Sequence, residues 1–315
     1  MADAVQKIRD FARVLLDDSK VDVVLGFKRG SLPGMSEPAL IRNSAEVDEL
    51  IWDATCRLNL CNYLTNRKDK IGIVAKACDT RNIVGHIVEN KISRDQLVII
   101  GVPCTGMADK KALADLVGGE LTAYAEAGDE ITVNGPLGEK KVKKGEVLQN
   151  NCQTCIRRNP VIYDELAGEA VAELELSDRF ADVNKVEAMD AKARWDYVED
   201  LLSGCTRCYA CKNACPLCYC PQCFVDESRP QWVGKGTNPI DIRTYHFLRA
   251  FHCAGRCTDC GACEAACPMD IKMRFFTRKN IKDCLENYGW ETGLKEGVRP
   301  PLDTFKTDDQ ETFIR

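Results

Sequence analysis

Nineteen cysteines stand in a chain of 315 residues that has three histidines, His86, His246 and His252. Eight of the cysteines fall into two runs of one spacing, C-x2-C-x2-C-x3-C-P: Cys205, Cys208, Cys211 and Cys215 before Pro216, then Cys257, Cys260, Cys263 and Cys267 before Pro268. Thiolates are soft ligands that select zinc, copper and iron–sulfur clusters. Gaps of two residues let three thiolates of one tight loop reach three irons of a cube, while the fourth, opening a helix, points away. Disulfides are the competing use of dense cysteine, but they belong to short secreted chains. Here the N-terminus, from Met1 to Lys7, lacks the apolar core of an export signal. No stretch approaches about 18 uninterrupted apolar residues. The expectation is a cytoplasmic protein without membrane insertion, whose thiols are metal ligands in an anaerobic setting.

The doubled run matches the bacterial ferredoxin pattern, in which the fourth cysteine ligates the other cluster. That assigns one 4Fe-4S cluster to Cys205, Cys208, Cys211 and Cys267, and a second to Cys257, Cys260, Cys263 and Cys215. The 42 positions from Cys215 to Cys257 exceed those of a small ferredoxin, and Ile242 to His252 reads as a helix within them. Residues 193–285 thus resemble the α-helical ferredoxins of fumarate and heterodisulfide reductases, domains that pass single electrons. Cys218, Cys220, Cys223 and Cys253 surround this core, as buried thiols, a further metal site or redox-active groups. Cys284 reads as core.

The elements that must position the remaining cysteines lie upstream. Val5 to Leu16 is an amphipathic helix by period, Val21 to Phe27 a strand, and Val47 to Leu60 a helix ending near Cys56 and Cys61. Ile71 to Ala77 and Gln96 to Val102 are continuous apolar runs flanking a helical stretch, Thr80 to Glu89. Continuous runs suit parallel strands covered on both faces, here a βαβ unit. Cys78 and Cys104 follow the two strands, where ligands gather in open α/β sheets. Lys110 to Val117 reads as a helix and Ile131 to Leu148 as a hairpin, before the pair Cys152 and Cys155. Strand-end cysteines plus a CxxC, without histidine, are four soft ligands for an iron–sulfur cluster or zinc.

Three segments carry a second resemblance: Lys76 to Arg81 after a strand, Gly101 to Cys104 after the next, and Asn151 to Cys155 followed by Pro160, Asp164 and Gly168. Over residues 65–170 the chain resembles the beta-subunit family of deazaflavin-coenzyme (coenzyme F-420) hydrogenases and formate dehydrogenases. The resemblance implies an α/β domain with a third 4Fe-4S cluster, held by Cys104, Cys152 and Cys155 with one of Cys78 or Cys56. It also implies a flavin, FAD or FMN, feeding a hydride carrier. The departure lies after Gly168, where the family continues into a segment that completes the flavin pocket and this chain turns acidic. Lys76, Asp79 and Arg81 could touch a cofactor, or simply cap and be solvated.

From 164 to 200 acidic residues outnumber basic ones, 12 to four, in two helical stretches, the second running from Ala193 to Leu202. The resulting organisation is an α/β domain with βαβ units over 1–170, an acidic helical linker over 171–204, a mainly α-helical two-cluster ferredoxin domain over 205–290 and an extended tail over 291–315. Residues 205–315 hold 16 of the 43 Lys+Arg and 14 of the 48 Asp+Glu. Neither part has the basic stripe that nucleic acid requires. No paired carboxylate, triad or phosphate loop points to bond chemistry. The expected role is an electron-transfer subunit of an anaerobic oxidoreductase. Its partners would be a flavoprotein and a hydrogenase, formate dehydrogenase or heterodisulfide-reductase-like subunit. The alternative is a flavin-containing subunit acting on a deazaflavin, nicotinamide or ferredoxin.

Overall fold

The computed structural model describes residues 2–305 and residue 307. Helix α1 (Ala2–Asp17) leads into strands β1 (Val23–Arg29) and β2 (Ser36–Ile41); β3 (Ile71–Lys76), α2 (Ala77–Val88) and β4 (Leu97–Val102) follow. The apolar runs form the βαβ unit that their composition predicts: β3 and β4 are parallel, with Ile71 opposite Leu97 and Lys76 opposite Val102. Every residue of β3 is buried.

The segment from Val47 to Leu60 is not the helix that its apolar spacing suggests. It holds a 3-10 turn at Ser44–Glu49, an irregular stretch, and another turn at Leu60–Tyr63. Short polar side chains compete with a helix by bonding nearby backbone. Asn43 accepts from the Ala45 amide, Asp53 from Thr55 and Asn59 from Cys61.

Helix α3 (Lys110–Leu116) precedes an antiparallel meander of β5 (Ala123–Ala127), β6 (Glu130–Asn134) and β7 (Lys140–Lys143), one strand more than a hairpin. Its core joins Ile131 and Val133 to Leu113 and Val117. A single turn, α4 (Asn150–Gln153), carries Cys152, and β8 (Glu165–Leu166) closes the main sheet in the order β2-β1-β3-β4-β8. Only β2 runs antiparallel to its neighbour.

The rest is helical: α5 (Ala181–Glu187), α6 (Ala191–Leu202), α7 (Ala210–Asn213), α8 (Pro239–His252), α9 (Ala262–Ala265) and α10 (Arg274–Tyr288). Tyr245, Ile242, Phe276 and Leu202 centre its core, and Cys284 is buried on α10. Of the tail, only the part up to residue 305 and residue 307 lies within the described residues.

One stripe of α2 carries polar residues spaced three and four apart, so they share a face. Asn82 Nδ2 donates to Thr258 Oγ1 (2.8 Å), His86 Nε2 meets the Pro216 carbonyl (2.7 Å), and Glu89 pairs with Arg256. Arg81 donates through Nε and Nη2 to the Thr292 carbonyl at 2.9 and 2.7 Å. These contacts clamp the helical part onto the βαβ unit.

Candidate metal centres

The two cysteine-run loops share a backbone device. Arg207 and Tyr209 in the first, and Asp259 and Gly261 in the second, all have left-handed φ between 53° and 74°. That alternation curls each loop around its cavity. In the second loop the glycine is required twice over. Beyond its φ, a Cβ there would sit 2.2 Å from the Asn151 side chain.

Cys205, Cys208, Cys211 and Cys267 line one cavity with Tyr245 and His246. Cys215, Cys257, Cys260 and Cys263 line a second, together with Cys253 and Arg249. The fourth cysteine of each run therefore faces the cavity of the other. Cys78, Cys104, Cys152 and Cys155 line a third cavity at the ends of β3 and β4, and Cys260 reaches into it as well. Cys56 stays apart, fully buried in the sheet core. Cys215 packs with Cys218 and Cys253, and those neighbouring thiols, with Arg249, hold the Cys215 thiol well below the ordinary range.

Buried cations supply an independent test of what these cavities accept. Arg249 is 5% exposed. Its Nη2 donates to the Cys211 carbonyl at 3.1 Å, and its Nε has no hydrogen-bond partner among the described residues. Arg249 shares the second cavity with Cys215, Cys253 and Cys263. A buried cation is costly unless an anion compensates it, and thiolate-ligated clusters between these sulfurs would do so. At the third cavity, Arg57 is likewise buried, spending its Nε and Nη2 on the carbonyls of Ala108 and Gly34.

Lys76, open to a solvated role on sequence grounds, is 2% exposed. Its Nζ lies 2.9 Å from Asp79 and donates to the Leu58 carbonyl at 2.6 Å. Burial alone would lower its pKa; Asp79, with Cys78 and Cys104 nearby, raises it instead, so it stays a cation.

Burial pushes the Cys152 thiol up to about 12, and raises Cys78, Cys104 and Cys155 as well. The Cys257 and Cys260 thiols rise to about 12 and about 11 for the same reason. Ligation requires thiolates, so loading releases these protons. Backbone amides wait for the sulfurs: Gly106 N is 3.4 Å from Cys104 Sγ, Met107 N is 3.3 Å from Cys152 Sγ, and Ile271 N is 3.4 Å from Cys267 Sγ. Asn151 Nδ2 lies 3.5 Å from Cys152 Sγ and 3.0 Å from the Cys260 carbonyl, joining the third and second sites in a single side chain. Among the described residues no three His, Cys, Asp or Glu side chains converge on one point for a single ion. A cube holds its thiolates farther apart than an ion does.

Sequence reasoning missed Asn151, Asp259, Tyr245, His246 and Arg249. The Asp259 side chain is 9% exposed, and although its desolvation opposes its charge, Arg274 and Arg278 at 2.5 and 2.6 Å hold its carboxyl below the usual range. The usable signal was polarity on the inner face of the helix read from Ile242 to His252, where 245, 246 and 249 fall together.

No family model matches the sequence. Two curated relatives span nearly all of it: the F420-dependent formate dehydrogenase subunit beta of Methanocaldococcus jannaschii is 24% identical, with 92% of each chain covered. The F420-dependent formate dehydrogenase 1 subunit beta of Methanococcus maripaludis is 23% identical, over 92% of this chain and 91% of that one. The resemblance is to these beta subunits along nearly the whole chain. It therefore extends well past the residues 65–170 whose motifs first carry it, and through both cysteine runs. A chain of the F420-reducing NiFe hydrogenase complex from Methanosarcina barkeri aligns at 14% identity with a TM-score of 0.36, covering 50% of this chain and 59% of that one. No helix among the described residues is long and apolar enough to cross a membrane.

Proposed function

We propose that this chain is an iron–sulfur electron-transfer subunit of an anaerobic oxidoreductase complex, with three 4Fe-4S clusters in series. The observation that carries it is the row of three cysteine-lined cavities. Cys260 borders both the third and the second; Cys211 on α7 lines the first and Cys215, just past its end, the second, while Cys263 on α9 lines the second and Cys267, just past its end, the first. When bound, the clusters supply transfer of single electrons. The chain's own residues hold the thiolates, exclude water and offset the added negative charge with Lys76, Arg57 and Arg249.

The ligand sets are Cys205, Cys208, Cys211 and Cys267; Cys257, Cys260, Cys263 and Cys215; and Cys104, Cys152, Cys155 with Cys78. Cys78 is preferred to Cys56 because it borders the cavity. The relatives' names point to a formate dehydrogenase of the deazaflavin-dependent kind as the setting. The partner subunits would then be a flavoprotein or the catalytic formate dehydrogenase, hydrogenase or heterodisulfide-reductase-like chain.

A second reading, a flavin-bearing subunit reducing a deazaflavin, is favoured by one feature. Beyond the carboxyl ends of β4 and β8 an open cleft lies against Cys104, Gly106 and Met107, between Trp52, Lys144 and Gly168. Ligands of open α/β sheets bind in such places. Anaerobically purified protein decides both points. Cys152→Ala with Cys155→Ala is expected to remove one cluster's iron and sulfide, and unchanged iron per chain overturns the third site. FAD or FMN in the supernatant after acid precipitation favours the second reading, and its absence the first.

A further inference from the structure

The three sets of sulfurs are not treated alike by their surroundings. Cys104 and Cys152 accept from backbone amides and one asparagine, and Cys257 faces the Asp259 amide at 3.5 Å. Cys215 packs against the thiols of Cys253 and Cys218, and thiols are weak donors. In the cavity of Cys205, Cys208, Cys211 and Cys267, however, two side chains of one helix reach the sulfurs. The Tyr245 hydroxyl is 3.3 Å from Cys211 Sγ, and His246 Nε2 is 3.3 Å from Cys205 Sγ.

Neither side chain is free to turn away. Tyr245 is 1% and His246 3% exposed. Tyr245 packs edge-on against Tyr209, with ring centres 5.4 Å apart, and against His246 at 4.9 Å; His246 stacks on Phe276 at 6.4 Å. Their backbone is the middle of α8, a 14-residue helix started by Asn238, whose side chain accepts from the Asp241 amide. A thiolate can only accept, so against ligating cysteines the phenol O–H and the imidazole N–H are the donors.

We infer that Tyr245 and His246 are positioning residues that raise the reduction potential of the cluster held by Cys205, Cys208, Cys211 and Cys267. The placement presupposes the ligand sets proposed above. A hydrogen bond to a ligand sulfur stabilises negative charge there, and reduction adds one negative charge. The reduced form therefore gains more, and hydrogen bonds to sulfur are among the factors that set cluster potentials. Cys208, in the same cavity, is exposed. The raised potential thus draws an electron toward the cluster nearest solvent, where a partner can take it.

The test is a redox titration of the full chain, followed by electron paramagnetic resonance, on the parent and three variants. Tyr245→Phe and His246→Leu are each expected to move one reduction step to more negative potential and leave the others in place. His246→Gln, which keeps an N–H donor, is expected to stay nearer the parent. Tyr245→Phe removes one oxygen and preserves the ring packing, so its titration decides alone should His246→Leu fail to load iron. Full iron content with every step where the parent has it overturns the inference and leaves the ligand sets standing. A parent without 4Fe-4S signals overturns both.

Discussion

Cys78 and Cys56 are alternatives that spacing alone leaves equal, since each follows an element that could deliver it to Cys104. The fold separates them by burial: Cys56 is sealed in the sheet core, while Cys78, in the first turn of α2, borders the cavity. Cys78→Ala is expected to lose one cluster's iron and sulfide, and Cys56→Ala to keep all of it, at a cost of about 1–2 kcal/mol from the small void. Iron and sulfide assays on the two variants, with thermal melts, check both halves. The ferredoxin-type cysteines could be paired on paper because the spacing of each run carries its geometry. Arg249 and Asn151 could not, because nothing near them in sequence says that a sulfur will face them.

At the scale of elements, the docking stripe of α2 makes a prediction about acid. His86 is fully buried against the Pro216 carbonyl, and burial lowers its pKa below the ordinary histidine value. The unfolded chain keeps the ordinary value, so as pH falls through about 6.5 it takes up a proton that the folded chain resists. Stability is therefore complete above that pH and declines below it. Anaerobic melts of the parent from pH 7.5 to 5.5 should show a falling midpoint, and His86→Gln should flatten the slope over that window. An equal slope in both would assign the loss elsewhere. The strands β3 and β4 were legible because an unbroken apolar run has few other uses. Strand β2 was not: it is short, half-exposed and interrupted by Pro38, as befits the edge of a sheet. The polar stripe of α2 was equally hidden, since its partners at Pro216, Arg256 and Thr258 lie 130 to 176 residues downstream.

For the molecule as a whole, the segment after α10 ties the sheet to the helices. Trp290 Nε1 and Thr292 Oγ1 both donate to the Gly255 carbonyl, at 2.7 and 2.9 Å, while Arg81 holds the Thr292 carbonyl. Glu291 gathers Arg157, Arg179 and Arg81 within 2.8 to 3.5 Å. Gly293 lies so close that a Cβ would sit 2.2 Å from the Arg81 carbonyl oxygen, in a left-handed conformation that costs other residues about 1–2 kcal/mol by itself. Gly293→Ala is expected to loosen this seam with the cluster content intact. Amide hydrogen exchange would quicken in α2 and around Gly255, and electrons would equilibrate more slowly between the third site and the other two. Unaltered exchange at both segments would count against the seam. The exchanged fourth cysteines carry a further consequence, for how such a chain is made. If Cys267 completes the cube begun at Cys205, and Cys215 the one begun at Cys257, a nascent chain cannot finish the second cube until residue 263 has left the ribosome, nor the first until residue 267 has. Insertion of both cofactors then waits for the second run, and a chain stopped between the two runs would be born without either.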